Sequence, residues 1–213
     1  MRITYLLILF SMGSCTEHTQ NTNALRTITQ SISLLNTEFR SEIIDKQIII
    51  DSLLRLQKAD PAIAVKRDHF ERTWKDLSAL THKISAGILK QTGFNPPDNI
   101  SGPEKNHPGL VEKEMQDNGR LLFQKLVDFE SQLYLLDSVF YRENKERLPL
   151  NLPLGKHEKA DENNFGSLLF ADTSPMTAIA VLRSLENKML CLVNKYFGNE
   201  IGKKYLLNGH RVQ

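Results

Sequence analysis

Residues 60–93 read DPAIAVKRDHFERTWKDLSALTHKISAGILKQTG, and this stretch decides the fold class. Asp60 suits a helix cap, and Pro61 suits the first turn, where a backbone N–H would find no partner anyway. Ile63, Phe70, Trp74, Leu77, Ile84 and Ile88 then recur at helical spacing on one stripe. Gly93 supplies a stop. The pattern predicts one long amphipathic helix over about 61–92.

The same period extends in both directions. Upstream, from about Asn23 to Lys58, Ile28, Ile32, Leu35, Phe39, Ile43, Ile50 and Leu53 form a stripe that Lys46 interrupts. No Gly or Pro breaks it. The link to the next helix is so short that the two are expected to pack as an antiparallel pair. Downstream, residues 93–109 hold four prolines and three glycines, which cannot continue a helix. A third helix is predicted from about Leu110 to Asn144, with Met115, Leu122, Leu126, Phe129, Leu133, Leu136 and Phe140 on its stripe. Gly119 falls on that stripe, where a missing side chain either permits close approach of a neighbour or is merely a weak spot in the helix.

Residues 145–173 form a second long connection. Its later part, Asn163 to Phe170, is apolar enough to be expected against the helices. Ser174-Pro175 then caps and opens a fourth helix, from about Pro175 to Phe197. Met176, Ile179, Leu182, Leu185, Met189, Leu192 and Tyr196 mark its apolar face, and Gly198 its expected end. The resulting expectation is an all-α, antiparallel four-helix bundle with two long loops, spanning residues 23–198. A frayed tail is expected over 199–213.

The N-terminus has a different character. Met1 to Cys15 contains one basic residue, Arg2, then an apolar run, then Gly13-Ser14-Cys15. That is the layout of a secretory leader, and its apolar run is too short for a helix that spans a bilayer. Small residues just before a cysteine resemble a bacterial lipobox, so Cys15 is the expected site of lipid attachment. Met12 departs from the leucine more usual there. Residues 1–15 are thus read as a lipoprotein-type signal and 16–22 as a polar tether. The chain's other cysteine, Cys191, reads as a small apolar residue on a helix.

Charge gives no case for nucleic acid. The 213 residues carry 27 basic and 25 acidic side chains, a formal +2, and 40% of residues are hydrophobic. Such a balance lacks the concentrated basic face that nucleic-acid binding requires. Chemistry-bearing motifs are equally sparse. Glu104 and His107 have the Glu-x-x-His spacing of a di-iron bundle, but they lie in the Pro/Gly loop, without helical geometry. His18, His69, His82, His157 and His210 are scattered singly. No CxxC, P-loop or GxSxG pattern occurs. The carboxylate pairs Glu112/Glu114 and Asp161/Glu162 read as solvated charge. Neither an enzyme active site nor a cofactor or metal site is expected.

Asn164-Phe165 through Phe170, then Ser174-Pro175-Met176-Thr177-Ala178, then Leu182, Leu185 and Glu186, resemble the end of the N-terminal periplasmic bundle of the GldM/PorM family. These are gliding-motility and type IX secretion proteins of Bacteroidota. Phe165, Phe170, Pro175 and Ala178 carry the likeness, together with the order of four helices. It departs from that family in having a lipobox where the family has a transmembrane helix, and in having one domain. The resemblance implies a periplasmic setting and binding to envelope proteins, with a homodimer among the arrangements. Leader and resemblance together lead to the expectation of a lipid-anchored interaction module. An extracytoplasmic four-helix sensor for a small ligand is the alternative.

Overall fold

A computed structural model describes residues 18–57, 61–92, 109–151, 160–171 and 173–209. Every regular element among them is helical. The long helices are α1 (His18–Gln57), α2 (Pro61–Thr92), α3 (Leu110–Leu136) and α6 (Pro175–Gly209). Two short ones, α4 (Ser138–Glu143) and α5 (Phe165–Phe170), and a 3₁₀ turn (Lys145–Arg147) lie in the connection between α3 and α6. No helix among the described residues is long and apolar enough to cross a membrane.

The all-α class is as expected, but the helix directions are not uniformly antiparallel. Asn36 of α1 meets Glu186 of α6, and further along both helices Lys46 meets Asn194. α1 and α6 therefore run in the same direction, and α6 is the main partner of α1. α2 runs antiparallel to its neighbours. Its Phe70 stacks on Phe129 of α3 and lies edge-on to Tyr196 of α6. Arg40 reaches Ser78, and Arg67 reaches Asp51, so α1 and α2 are antiparallel but joined mainly by long side chains.

The cause is the long connection. After α3, the chain turns back along that helix, and α5 sets Phe165 against Phe123 with ring centroids 5.4 Å apart. A Cβ added at Gly119 would lie 2.9 Å from the Gly166 Cα, so these glycines let the α3 and α5 backbones touch. The chain thus reaches the end where α1 and α3 begin before α6 starts.

Element ends differ from expectation in three places. Helix α1 begins at His18, inside the expected tether, because residues 16–22 contain no Gly or Pro and a formed helix propagates at little cost. Helix α6 runs through Gly198 to Gly209, so the expected stop at Gly198 is corrected; residues 210–213 of the expected tail lie outside the described residues. An interior glycine costs only about 1 kcal/mol, and Phe197 and Ile201 pack on either side of it. The third predicted helix is broken at Asp137, whose backbone is extended and whose carboxylate accepts from the amides of Val139 and Phe140.

The core matches the predicted stripes of α2, α3 and α6, except that Leu136 is only partly buried and the Ile63 side chain lies outside the described residues. On α1 the buried line is Thr29, Asn36, Ile43 and Ile50, so the stripe is rotated from the one predicted through Leu35, which is 46% exposed. α6 is buried around most of its circumference and forms the centre: Leu190, Val193 and Phe197 are buried as fully as its predicted stripe.

Candidate functional site

The most organised polar cluster lies where α1, α2 and α6 meet. Glu186 of α6 is completely buried, at 0% exposure. Its Oε1 accepts from Ser78 Oγ at 2.5 Å and from the Arg40 guanidinium. Its Oε2 accepts from Asn36 Nδ2 and Arg183 Nη1, each at 3.1 Å. His82 Nε2 stands 3.3 Å from the same carboxylate and 2.9 Å from Arg183 Nη1. Burial pushes the Glu186 carboxyl up, but hydrogen bonds from His82 and Ser78 and the charge of Arg40 outweigh it, and its pKa is held down at about 2.

This arrangement satisfies a buried charge from three helices at once. Asn36 also donates to the Arg183 carbonyl at 3.2 Å and accepts from Asn187 at 2.8 Å, which ties α1 to α6. Chemically the cluster is a clasp. Both of its carboxylate oxygens already accept from side chains of three helices, and Arg40 and Arg183 already spend donors on it.

A second polar group fastens the long connection. Glu130 Oε1 accepts from the Leu150 amide at 2.8 Å, and Lys188 Nζ donates to the Asn151 carbonyl at 3.3 Å. Burial raises the Glu130 pKa, against the opposing Leu150 hydrogen bond and Lys188 charge, and burial lowers that of Lys188. At the far end of the bundle, a cavity of about 20 Å³ lies between all four long helices, lined by residues including Ile50, Arg67, Leu136 and Tyr196. Arg67 Nη1, although buried, has no hydrogen-bond partner. Such a space suits one water.

The positions singled out in the sequence fall as follows. Cys15 lies outside the described residues, as do Glu104, His107, His157 and His210. Phe165 and Phe170 are buried in α5, and Pro175 and Ala178 are buried at the start of α6. Trp74 is in the core. Cys191 is half-buried and free. His69 is exposed. Asp161 accepts from the amides of Asn163 and Asn164, Glu162 pairs with Arg120, and Glu114 accepts from Gln91. Among the described residues, no three His, Cys, Asp or Glu side chains are grouped as metal ligands. Sequence reading treated His82 as an isolated polar residue and missed Asn36, Arg40, Ser78 and Arg183. The one available signal was polarity at positions 29 and 36, seven residues apart on a helix otherwise striped with apolar groups.

The outer surface is less polar than the interior clasp would suggest. On α1, Leu34, Ile44 and Ile48 are 68%, 51% and 60% exposed. On α3 and α4, Tyr134, Leu135 and Val139 are 51%, 58% and 54% exposed. The Tyr134 ring stands edge-on to Tyr141, 5.5 Å between centroids. No family model matches this chain, and no curated protein or solved structure matches it.

Proposed function

We propose that this chain is a protein-interaction module held at a membrane by lipid on Cys15. It works in the cell envelope, in gliding motility, type IX secretion or envelope assembly. The observation that carries the reading is the set of apolar side chains turned outward from a well-packed bundle. Contiguous exposed apolar groups on a folded chain mark binding surfaces. The Tyr134, Leu135 and Val139 patch pairs an aromatic anchor with aliphatic neighbours, the composition favoured at the centre of protein interfaces. The leader pattern ending at Cys15 supports the anchoring, and the likeness of residues 164–186 to the GldM/PorM bundle supports the setting. The space near Arg67, at about 20 Å³, is far smaller than a small-ligand site and lends the small-ligand alternative no support.

Site-specific photocrosslinking tests the reading. A photoreactive residue at Leu135 is expected to capture a discrete envelope protein in cells. The same group at Lys113, exposed on the same helix but away from the patch, is expected to capture none. Equal labelling from both positions, or none from Leu135, would remove the support for a protein partner at this patch.

A further inference from the structure

The clasp around Glu186 gathers more positive charge than its one carboxylate balances. Arg40 spends a single nitrogen, Nη2, on Glu186, Ser78 and His82, and Arg183 spends only Nη1, on Glu186 and His82. A guanidinium carries five N–H donors. Nε and Nη1 of Arg40, and Nε and Nη2 of Arg183, therefore have no partner among the described residues, and none of the four is shut off from solvent. Other cations that join helices have acids of their own: Arg67 has Asp51, Lys125 has Asp76 and Lys203 has Asp137. Arg40 and Arg183 share Glu186.

The neighbouring carboxylates are turned elsewhere. Glu38 and Asp45 lie two and five positions from Arg40, which puts them around the far side of α1. Glu42 is bonded to Asn194, and Glu71, further down α2, is taken up by Lys75. Residues 77–92 of α2 include His82, Lys83 and Lys90 and no Asp or Glu. The approach is also open. α1 and α2 each pack on α6 and reach each other mainly through long side chains, which leaves a furrow with α6 as its floor. Its rims are low beside the guanidiniums. Exposed Thr37 lies one turn before Arg40, and exposed Ala79 and Ala86 lie one turn on either side of His82. Exposed Ile44, one turn after Arg40, adds an aliphatic wall.

The geometry points to a carboxylate-binding notch at Arg40, Arg183 and His82, which takes an acidic side chain, Asp or Glu, of a partner protein. The inner N–H groups of the two arginines already hold one carboxylate. The outer ones receive a second through charge-assisted, paired hydrogen bonds. His82 stands exposed at the rim, and Ile44 flanks the stem of the incoming side chain. The inference rests on the reading of the chain as a protein-binding module and adds a chemical requirement, an acidic residue on the partner. One exposed clamp is weak by itself, so the notch supplements the apolar patch on α3 and α4 and selects among partners.

Other anions fit less well. Phosphate sites draw on free backbone amides at helix N-termini or in loops. Arg40, Ser78 and His82 lie in mid-helix and Arg183 two turns inside α6, where the amides are spent on the helix. An anionic membrane would meet Glu38 and Asp45, both exposed on the outer side of α1, before it reached the furrow. A single protruding side chain passes them by.

Titration of the full chain, in uncharged detergent, with N-acetyl-glutamate N-methylamide tests the notch. This probe carries one side-chain carboxylate. At constant ionic strength, the Nε–H signals of Arg40 and Arg183 in heteronuclear NMR spectra are expected to shift saturably, with a Kd in the millimolar range. The glutamine counterpart of the probe is expected to leave them unmoved. Thr37→Glu sets an acid one turn from Arg40, within ion-pair reach, and is expected to raise the Kd about tenfold or more. Thr37→Gln is expected to leave it within about threefold of the wild type. If Thr37→Glu lowers helix content, Ala79→Glu with Ala79→Gln provides the second pair. Shifts that never saturate, an equal response to the glutamine probe, Thr37→Glu without effect, or tighter binding of inorganic phosphate would each overturn the notch. Crosslinking at Leu135 does not depend on this furrow. A chain that crosslinks there but ignores the probe would refute the notch and leave the partner-binding reading intact.

Discussion

At the scale of single residues, Glu186 has the strongest consequences. Its removal leaves two guanidiniums, Arg40 and Arg183, around a site built for a carboxylate. Breaking one partner out of a buried ion network costs about 3–5 kcal/mol. Glu186→Ala is therefore expected to lower unfolding stability by that order in urea titration, and Arg40→Ala by less, since Arg40 is 27% exposed. The same residue sets an acid limb. Its folded pKa of about 2 lies below the ordinary glutamate value of 4.5, so its contribution is complete above about 4.5 and is lost as pH falls through about 2. Stability measured between pH 5 and 2 is expected to fall less steeply in Glu186→Gln than in the wild type. An unchanged slope would show that the carboxylate is not held as described. This site was scarcely legible in the sequence. Apolarity put Leu35 in the α1 stripe, whereas the buried position is Asn36. A polar residue is accepted there only because Glu186, Arg183 and Asn187 satisfy it, and those partners lie some 150 positions away.

At the scale of elements, the sequence revealed more. Stripes, caps and the two Pro/Gly-rich connections located all four long helices, and Gly119 fitted a close neighbour as well as it fitted a mere weak spot in the helix. What local signals lacked was the identity of that neighbour, a second glycine in the six-residue helix α5. Gly119→Ala puts a Cβ 2.9 Å from backbone, where no flexible side chain can yield. A loss of about 1–3 kcal/mol is expected. Hydrogen exchange should speed up in α5 before it does in α2. Protection lost uniformly across the chain would count against the contact's local role. The break at Asp137 was within reach of sequence reading, because Asp-Ser is a capping pair, but an uninterrupted apolar stripe through Phe140 masked it. Asp137→Ala is expected to cost about 1 kcal/mol by thermal unfolding, through loss of the cap bonds to Val139 and Phe140. The Lys203 bond from α6 goes with it.

At the scale of the whole molecule, helix direction was the feature hidden from the sequence. Short links imply antiparallel neighbours, and that rule served for α1 and α2. It says nothing about a connection long enough to return the chain to its starting end, as residues 137–174 do. Anchoring belongs to this scale too. The mature protein from a membrane fraction is expected to begin at Cys15 with an acyl-sized mass increment, and Cys15→Ala to lack it. A soluble, unmodified wild type would contradict the anchor. The central claim is that this bundle binds macromolecules on its outside and not small molecules within. A heat challenge followed by immunodetection of the soluble protein tests it most directly, with envelope extract divided into macromolecular and small-molecule fractions. The account predicts a higher unfolding midpoint in the macromolecular fraction only, by mass action. Leu135→Asp should abolish that shift. A midpoint raised by the small-molecule fraction, and kept in Leu135→Asp, would contradict it.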